Sequence, residues 1–157
     1  MRILLIVCVM LSSSFQAPTD FNTRLVAKLS EMTKTEMPKK LEIELVSQKK
    51  LQDQFKGEQM GDCLQETNGN FPYCIQLVES INVFIHGHWI PEKDPTHLHI
   101  VLWEKAGADV LVHEYLHWWL SYKTEPRGMV NTESIVDIMV RQVMTHPDFI
   151  EWLGGVK

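Results

Sequence analysis

The sequence predicts an α+β fold: a small mixed sheet packed on a helix that carries two histidines, with a second helix returning beside the first. Three observations lead there. Leu41-Glu42-Ile43-Glu44-Leu45 alternates strictly, as a half-buried strand does. Ala108 to Ser121 is apolar at helical spacing around His113-Glu114-Tyr115-Leu116-His117. Between these two segments lie short runs rich in β-branched and aromatic residues, bounded by turn signals. At 157 residues, 45% hydrophobic and 22% charged, the chain has the size and composition of one globular unit. It shows no internal repeat, low-complexity segment or dividing linker.

Residues 1–17 stand apart from that unit. Arg2 supplies a positive start, Ile3 to Leu11 are almost wholly apolar, and Ser12, Ser13, Ser14 and Ala17 are small. This is the pattern of a secretory signal peptide, too short for a membrane span, which needs about 20 apolar residues. The expectation is a soluble domain over 18–157, secreted or periplasmic, with no membrane partner after cleavage. The net charge of −5 becomes more negative once Arg2 is lost, which leaves no basic face for nucleic acid.

The first expected element is a helix from Asp20 to about Met37, with Leu25, Val26, Leu29 and Met32 at helical spacing and Pro38 ending it. After the Leu41–Leu45 strand, Ser47 caps a short helix from Gln48 to about Phe55, and Lys56 to Gly61 reads as a loop. Cys8 belongs to the signal segment, so Cys63 and Cys74 form the one disulfide of an oxidising compartment. Between them Asn68-Gly69 signals a two-residue hairpin turn. Folding about it sets Cys63 opposite Cys74, although Pro72 has no N–H to offer such a ladder. Tyr73 to Val78, Ile81 to Trp89 and His97 to Trp103 read as strands. The helix from Ala108 to Ser121 is broken by Pro126 and Gly128. Asn131 or Thr132 caps a helix running to about Met144, and Pro147 opens a terminal helix that Gly154 stops.

His113 and His117 lie four apart on one helix face, so both imidazoles reach one ion, and Glu114, about 100° round the helix, falls beside it as a general base for water. A catalytic zinc wants a third protein ligand and an open position. The loop after His117 is long enough to turn the chain back, and an antiparallel helix then sets Glu133 level with His117. Asp137, one turn on, accepts a hydrogen bond from the outer nitrogen of a ligand histidine. His146 is too far round and along that helix to join. His86, His88, His97 and His99 form two alternating pairs on neighbouring strands. They either build a second metal site or divide between the cleft wall and solvent.

The segment Gly107 to His117, followed by Glu133-Ser134-Ile135-Val136-Asp137, resembles the gluzincin branch of zinc metallopeptidases, thermolysin-like enzymes in particular. The resemblance spans roughly Asn82 to Val140. It implies a zincin-like domain with one Zn²⁺ ion on His113, His117 and Glu133, with Glu114 as base and Asp137 behind a ligand. Asn82-Val83-Phe84 resembles the family's edge strand, whose backbone pairs with an extended substrate. The metzincin branch does not fit, since Leu120 stands where its motif needs Gly and Lys123 where it needs a third His. The family's helical lobe, with its transition-state histidine, lacks a counterpart here. Tyr122 and Arg127 are the candidates for oxyanion stabilisation. The implied activity is an exported metallopeptidase acting on peptides or proteins. The alternative is a non-catalytic zinc-binding or partner-binding module on a degenerate peptidase scaffold.

Overall fold

A computed structural model describes residues 20–80, 85–122 and 133–156. Residues 1–17, read above as a signal segment, Asn82, Val83 and Phe84, and Pro126, Arg127, Gly128, Asn131 and Thr132 lie outside the described residues. In chain order the elements are α1 (Asp20–Met32), β1 (Lys40–Val46), α2 (Gln48–Glu66), α3 (Phe71–Ser80), β2 (Gly87–Ile90), β3 (His97–Trp103), α4 (Ala108–Tyr122), α5 (Glu133–Thr145) and α6 (Pro147–Gly155). The sheet is mixed and has the order β1-β3-β2, with β1 parallel and β2 antiparallel to the central strand.

Alternation along the strands divides the molecule into layers. Ile43, Leu98, Ile100 and Leu102 face one way and join Leu25, Val26 and Leu29 of α1, the apolar face of α4, Val136 of α5 and Phe149 of α6 in the main core. Val46 and Val101 face the other way and meet Leu51 of α2. The sheet is therefore covered by helices on both faces, and β3, its central strand, is the most buried. Polar side chains tie α4 to the end of α1. The buried Tyr115 hydroxyl lies 3.3 Å from Ser30 Oγ and 3.0 Å from Thr33 Oγ1, and Trp119 Nε1 donates to Thr35 Oγ1 at 2.9 Å.

Several local expectations give way to tertiary structure. α1 ends at Met32, ahead of Pro38, because Lys34 takes a left-handed φ of 52° and Thr35 N–H donates back to the Ser30 carbonyl at 2.8 Å. Ser47 does cap α2, accepting from Lys50 N–H at 3.4 Å, but the helix runs to Glu66 through the expected loop at Lys56 to Gly61. Gly57 and Gly61 lie on its open side, with no heavy atom near where a Cβ would stand.

The hairpin about Asn68-Gly69 is corrected too. Asn68 at φ 51° and Gly69 at φ 89° form the positive-φ pair that a hairpin turn demands, yet here they end a helix. Gly69 N–H donates to the Leu64 carbonyl at 2.8 Å. The expected strand from Tyr73 to Val78 is α3, whose Cys74 and Val78, one turn apart, are buried. Pro72 becomes its second residue, where a missing N–H is harmless. Cys63 and Cys74 do form the disulfide, with Cα atoms 5.7 Å apart, across a helical hairpin. Of the strand expected from Ile81 to Trp89, residues 81–84 lie outside the described residues, Ile85 and His86 are not strand, and β2 starts at Gly87 and runs to Ile90.

Candidate metal centre

Leu111, Val112, Tyr115, Leu116, Trp118 and Leu120 of α4 are buried, and their burial sets the rotation of that helix about its axis. His113 and His117 then emerge toward α5, which packs on α4 through Val136. Glu133 is the first residue of α5, where a negative charge also suits the helix dipole, and Asp137 follows one turn later.

The donor atoms converge. His113 Nε2 and His117 Nε2 are 2.9 Å apart; Glu133 Oε2 is 3.0 Å from the first, and Glu133 Oε1 is 3.2 Å from the second. Donors about 2.1 Å from a tetrahedral ion stand about 3.4 Å from one another. The three side chains thus outline one face of a coordination shell slightly tighter than a filled one, and they suit a divalent ion that accepts both imidazole and carboxylate. His113 Nδ1 faces Asp137 Oδ1 at 3.4 Å, an acceptor for the ring proton in the tautomer that offers the Nε2 lone pair to an ion. The Glu133 side chain is 76% exposed, so the shell borders water on that side.

Glu114 is buried, and its Oε2 accepts a hydrogen bond from the backbone N–H of Trp89 at 2.8 Å. Burial pushes the carboxyl from its ordinary 4.5 up to about 8. The Trp89 N–H offsets part of that rise, and the neighbouring Glu133 charge adds to it. A cation at His113 and His117 acts in the opposite sense, favouring the charged form. α4 reaches this position because Gly87 has no side chain. A Cβ there would stand 2.6 Å from Val110 Cγ1 and 3.1 Å from Glu114 Cγ.

A cleft of roughly 740 Å³ runs along β2, one of the two edge strands among the described residues, between α2 on one side and α4 with α5 on the other. His113, Glu114, His117 and Glu133 all line it. So do His86, stacked on Trp103 with centroids 5.5 Å apart, and His88, which pairs with Glu58 of α2. Glu58 and the Trp89 N–H were missed in the sequence; no local pattern says which helix covers an edge strand.

The remaining candidates fall elsewhere. The Tyr122 hydroxyl donates to the Glu92 carbonyl at 2.6 Å and its ring packs edge-on against Trp89, so it is absent from the cleft lining. Arg127 and Asn82-Val83-Phe84 lie outside the described residues. His146 is exposed ahead of α6, 4.0 Å from Asp148. His97 and His99 do not reach the cleft but gather with Glu42 and Glu92 on another part of the sheet. Comparison with known protein families, curated proteins and solved structures finds no match to the chain.

Proposed function

We propose that the chain is an exported zinc-dependent peptidase of the gluzincin type. The observation that carries this is the triangle of His113, His117 and Glu133 donor atoms, with the buried Glu114 carboxyl on the next residue of the same helix. Three protein ligands and a water-facing side are what a catalytic rather than a structural site requires. Zinc at this position supplies Lewis acidity toward a substrate carbonyl and toward water. Asp137 holds His113 in the ligating tautomer. Glu114, fixed at one oxygen by Trp89, takes the proton of the attacking water and returns it to the leaving amine. A carboxyl whose affinity for protons is raised toward neutrality suits both transfers. An extended peptide fits along the edge of β2, where main-chain pairing gives affinity with little demand on sequence. Export is supported by the Cys63–Cys74 disulfide, which persists in an oxidising compartment.

The alternative, a metal-binding or partner-binding module without catalysis, is favoured by the engagement of Tyr122 with Glu92, which removes the only tyrosine between His117 and Glu133 from oxyanion stabilisation. One experiment separates the two. Purified zinc-loaded protein is incubated with a mixed peptide library, alongside Glu114→Gln with its zinc content measured. The peptidase reading expects chelator-sensitive cleavage that falls about 10²–10⁴-fold in the variant while zinc is retained. Zinc retention with no cleavage by the parent protein supports the module, and full activity in zinc-loaded Glu114→Gln removes Glu114 from the chemistry.

A further inference from the structure

The sheet carries a second polar cluster on the face turned away from α4. In the parallel register Lys40 pairs with His97, Glu42 with His99 and Glu44 with Val101, and alternation sends these side chains to one face. Toward the ends of β1 and β3 that face is apolar, where Val46 and Val101 meet α2. Toward their starts it holds Glu42, His97 and His99, and Glu92 from the loop between β2 and β3 reaches back over them.

Four side chains from three segments thus bring one donor atom each within 4.8 Å of the others. His97 Nε2 lies 3.0 Å from Glu42 Oε2, and His99 Nδ1 lies 3.1 Å from Glu92 Oε1. The crossed pairs, His99 Nδ1 to Glu42 Oε2 and His97 Nδ1 to Glu92 Oε1, are both 3.8 Å. With His97 Nε2 and His99 Nδ1 as the donors, the separations of 3.0 and 3.8 Å to Glu42 Oε2 and of 3.1 Å to Glu92 Oε1 bracket the roughly 3.4 Å between neighbouring donors around a tetrahedral ion with bonds of about 2.1 Å, while His97 Nδ1 is the ring's outer nitrogen. The imidazoles lie near parallel, with centroids 5.8 Å apart, and are largely shielded from water. An outer layer is present as well. His99 Nε2 faces Glu44 Oε1 at 3.3 Å, so the ring proton has an acceptor there when Nδ1 is given to an ion. Lys40 Nζ, 2.6 Å from Glu42 Oε1, orients that carboxylate from behind.

We propose that Glu42, Glu92, His97 and His99 form a second divalent-cation site, independent of the centre on α4 and of the peptidase reading. Four protein donors fill a tetrahedral shell and leave no position for substrate, so this site is structural. Two nitrogens and two oxygens suit zinc or a neighbouring first-row ion and not calcium or magnesium, which take oxygen ligands. An ion here joins the start of β1 to the start of β3 and ties down the loop that enters the central strand. It thereby holds the parallel register by a bond that strand pairing alone does not supply. The rival arrangement is an ion-pair cluster in which protonated imidazoles balance the glutamates.

Metal counting on the full chain distinguishes them. The protein is stripped with a chelator, reloaded with excess Zn²⁺, freed of unbound ion, and its zinc measured per chain. The expected result is two equivalents in the parent, one in His113→Ala/His117→Ala and one in His97→Gln/His99→Gln. No zinc in His113→Ala/His117→Ala, or a zinc count in His97→Gln/His99→Gln equal to the parent's, overturns the proposal. Should the His97/His99 variant fail to fold, Glu92→Gln added to His113→Ala/His117→Ala replaces it, because Glu92 sits in a loop. Its zinc affinity is expected to fall at least tenfold, in line with the loss of a ligand; an unchanged affinity places the retained ion elsewhere and overturns the site.

Discussion

A carboxyl buried between an edge strand and two imidazoles makes Glu114 the residue on which pH acts most strongly. In the metal-free folded protein it titrates near 8, whereas in the unfolded chain it returns to about 4.5. Between those values the folded state binds more protons than the unfolded state, so stability falls as pH rises. The contribution is fully present below about pH 4.5 and is gone above about pH 8. Glu114→Gln is neutral throughout and escapes that loss. Thermal unfolding of the metal-free proteins from about pH 5 to about pH 9 should therefore show the variant gaining on the parent by several degrees. A gap that does not change with pH means that the carboxyl is solvated. Without a cation beside it, this buried carboxyl is costly to charge.

At the scale of elements, the approach of α4 to β2 decides whether the site exists. At Gly87 the two elements approach closely, and adding a methyl there forces Val110 and Glu114 outward. Gly87→Ala is expected to destabilise the fold by about 1–3 kcal/mol, the usual range for overpacking. It should also weaken zinc binding, because His113 and His117 ride on the helix that must move. Denaturant midpoints and zinc titration check both, and a variant with unchanged values would show that α4 adjusts without cost. The helical hairpin of α2 and α3 teaches a related lesson. Asn68-Gly69 favours left-handed backbone in either a strand turn or a helix end, so its local signal was correct and its meaning was not local. The long partner helix and the buried disulfide selected the second use.

For the whole molecule, the two clusters sit at different joints: one between α4 and α5, the other among β1, β3 and the loop before β3. An ion that binds only the folded chain stabilises it by mass action, about 2.7 kcal/mol for each site at a hundredfold excess over its dissociation constant. Scanning calorimetry of stripped protein should then show the unfolding temperature rising by about 5–10 °C for each site filled with zinc. Chelation should reverse the rise, and no shift would mean that neither cluster holds the ion. Among the described residues no helix is long and apolar enough to cross a membrane.

Legibility in the sequence followed the range of the interaction. His113, Glu114 and His117 are related by one helical turn, and Glu133 and Asp137 by another, so these sets could be read from spacing that geometry imposes on any helix. The strands at Leu41 and His97 and the terminal helix were readable for the same reason. By itself the sequence determined which side chains share a face. What only the tertiary structure decided is which faces meet: Glu42 beside His99, 57 positions away and in parallel register, Glu58 on His88, the Trp89 N–H on Glu114, and Tyr122 on a carbonyl outside the cleft. Periodicity is a property of neighbours along the chain, whereas register and crossover depend on burying all apolar faces at once, and no single segment records that solution.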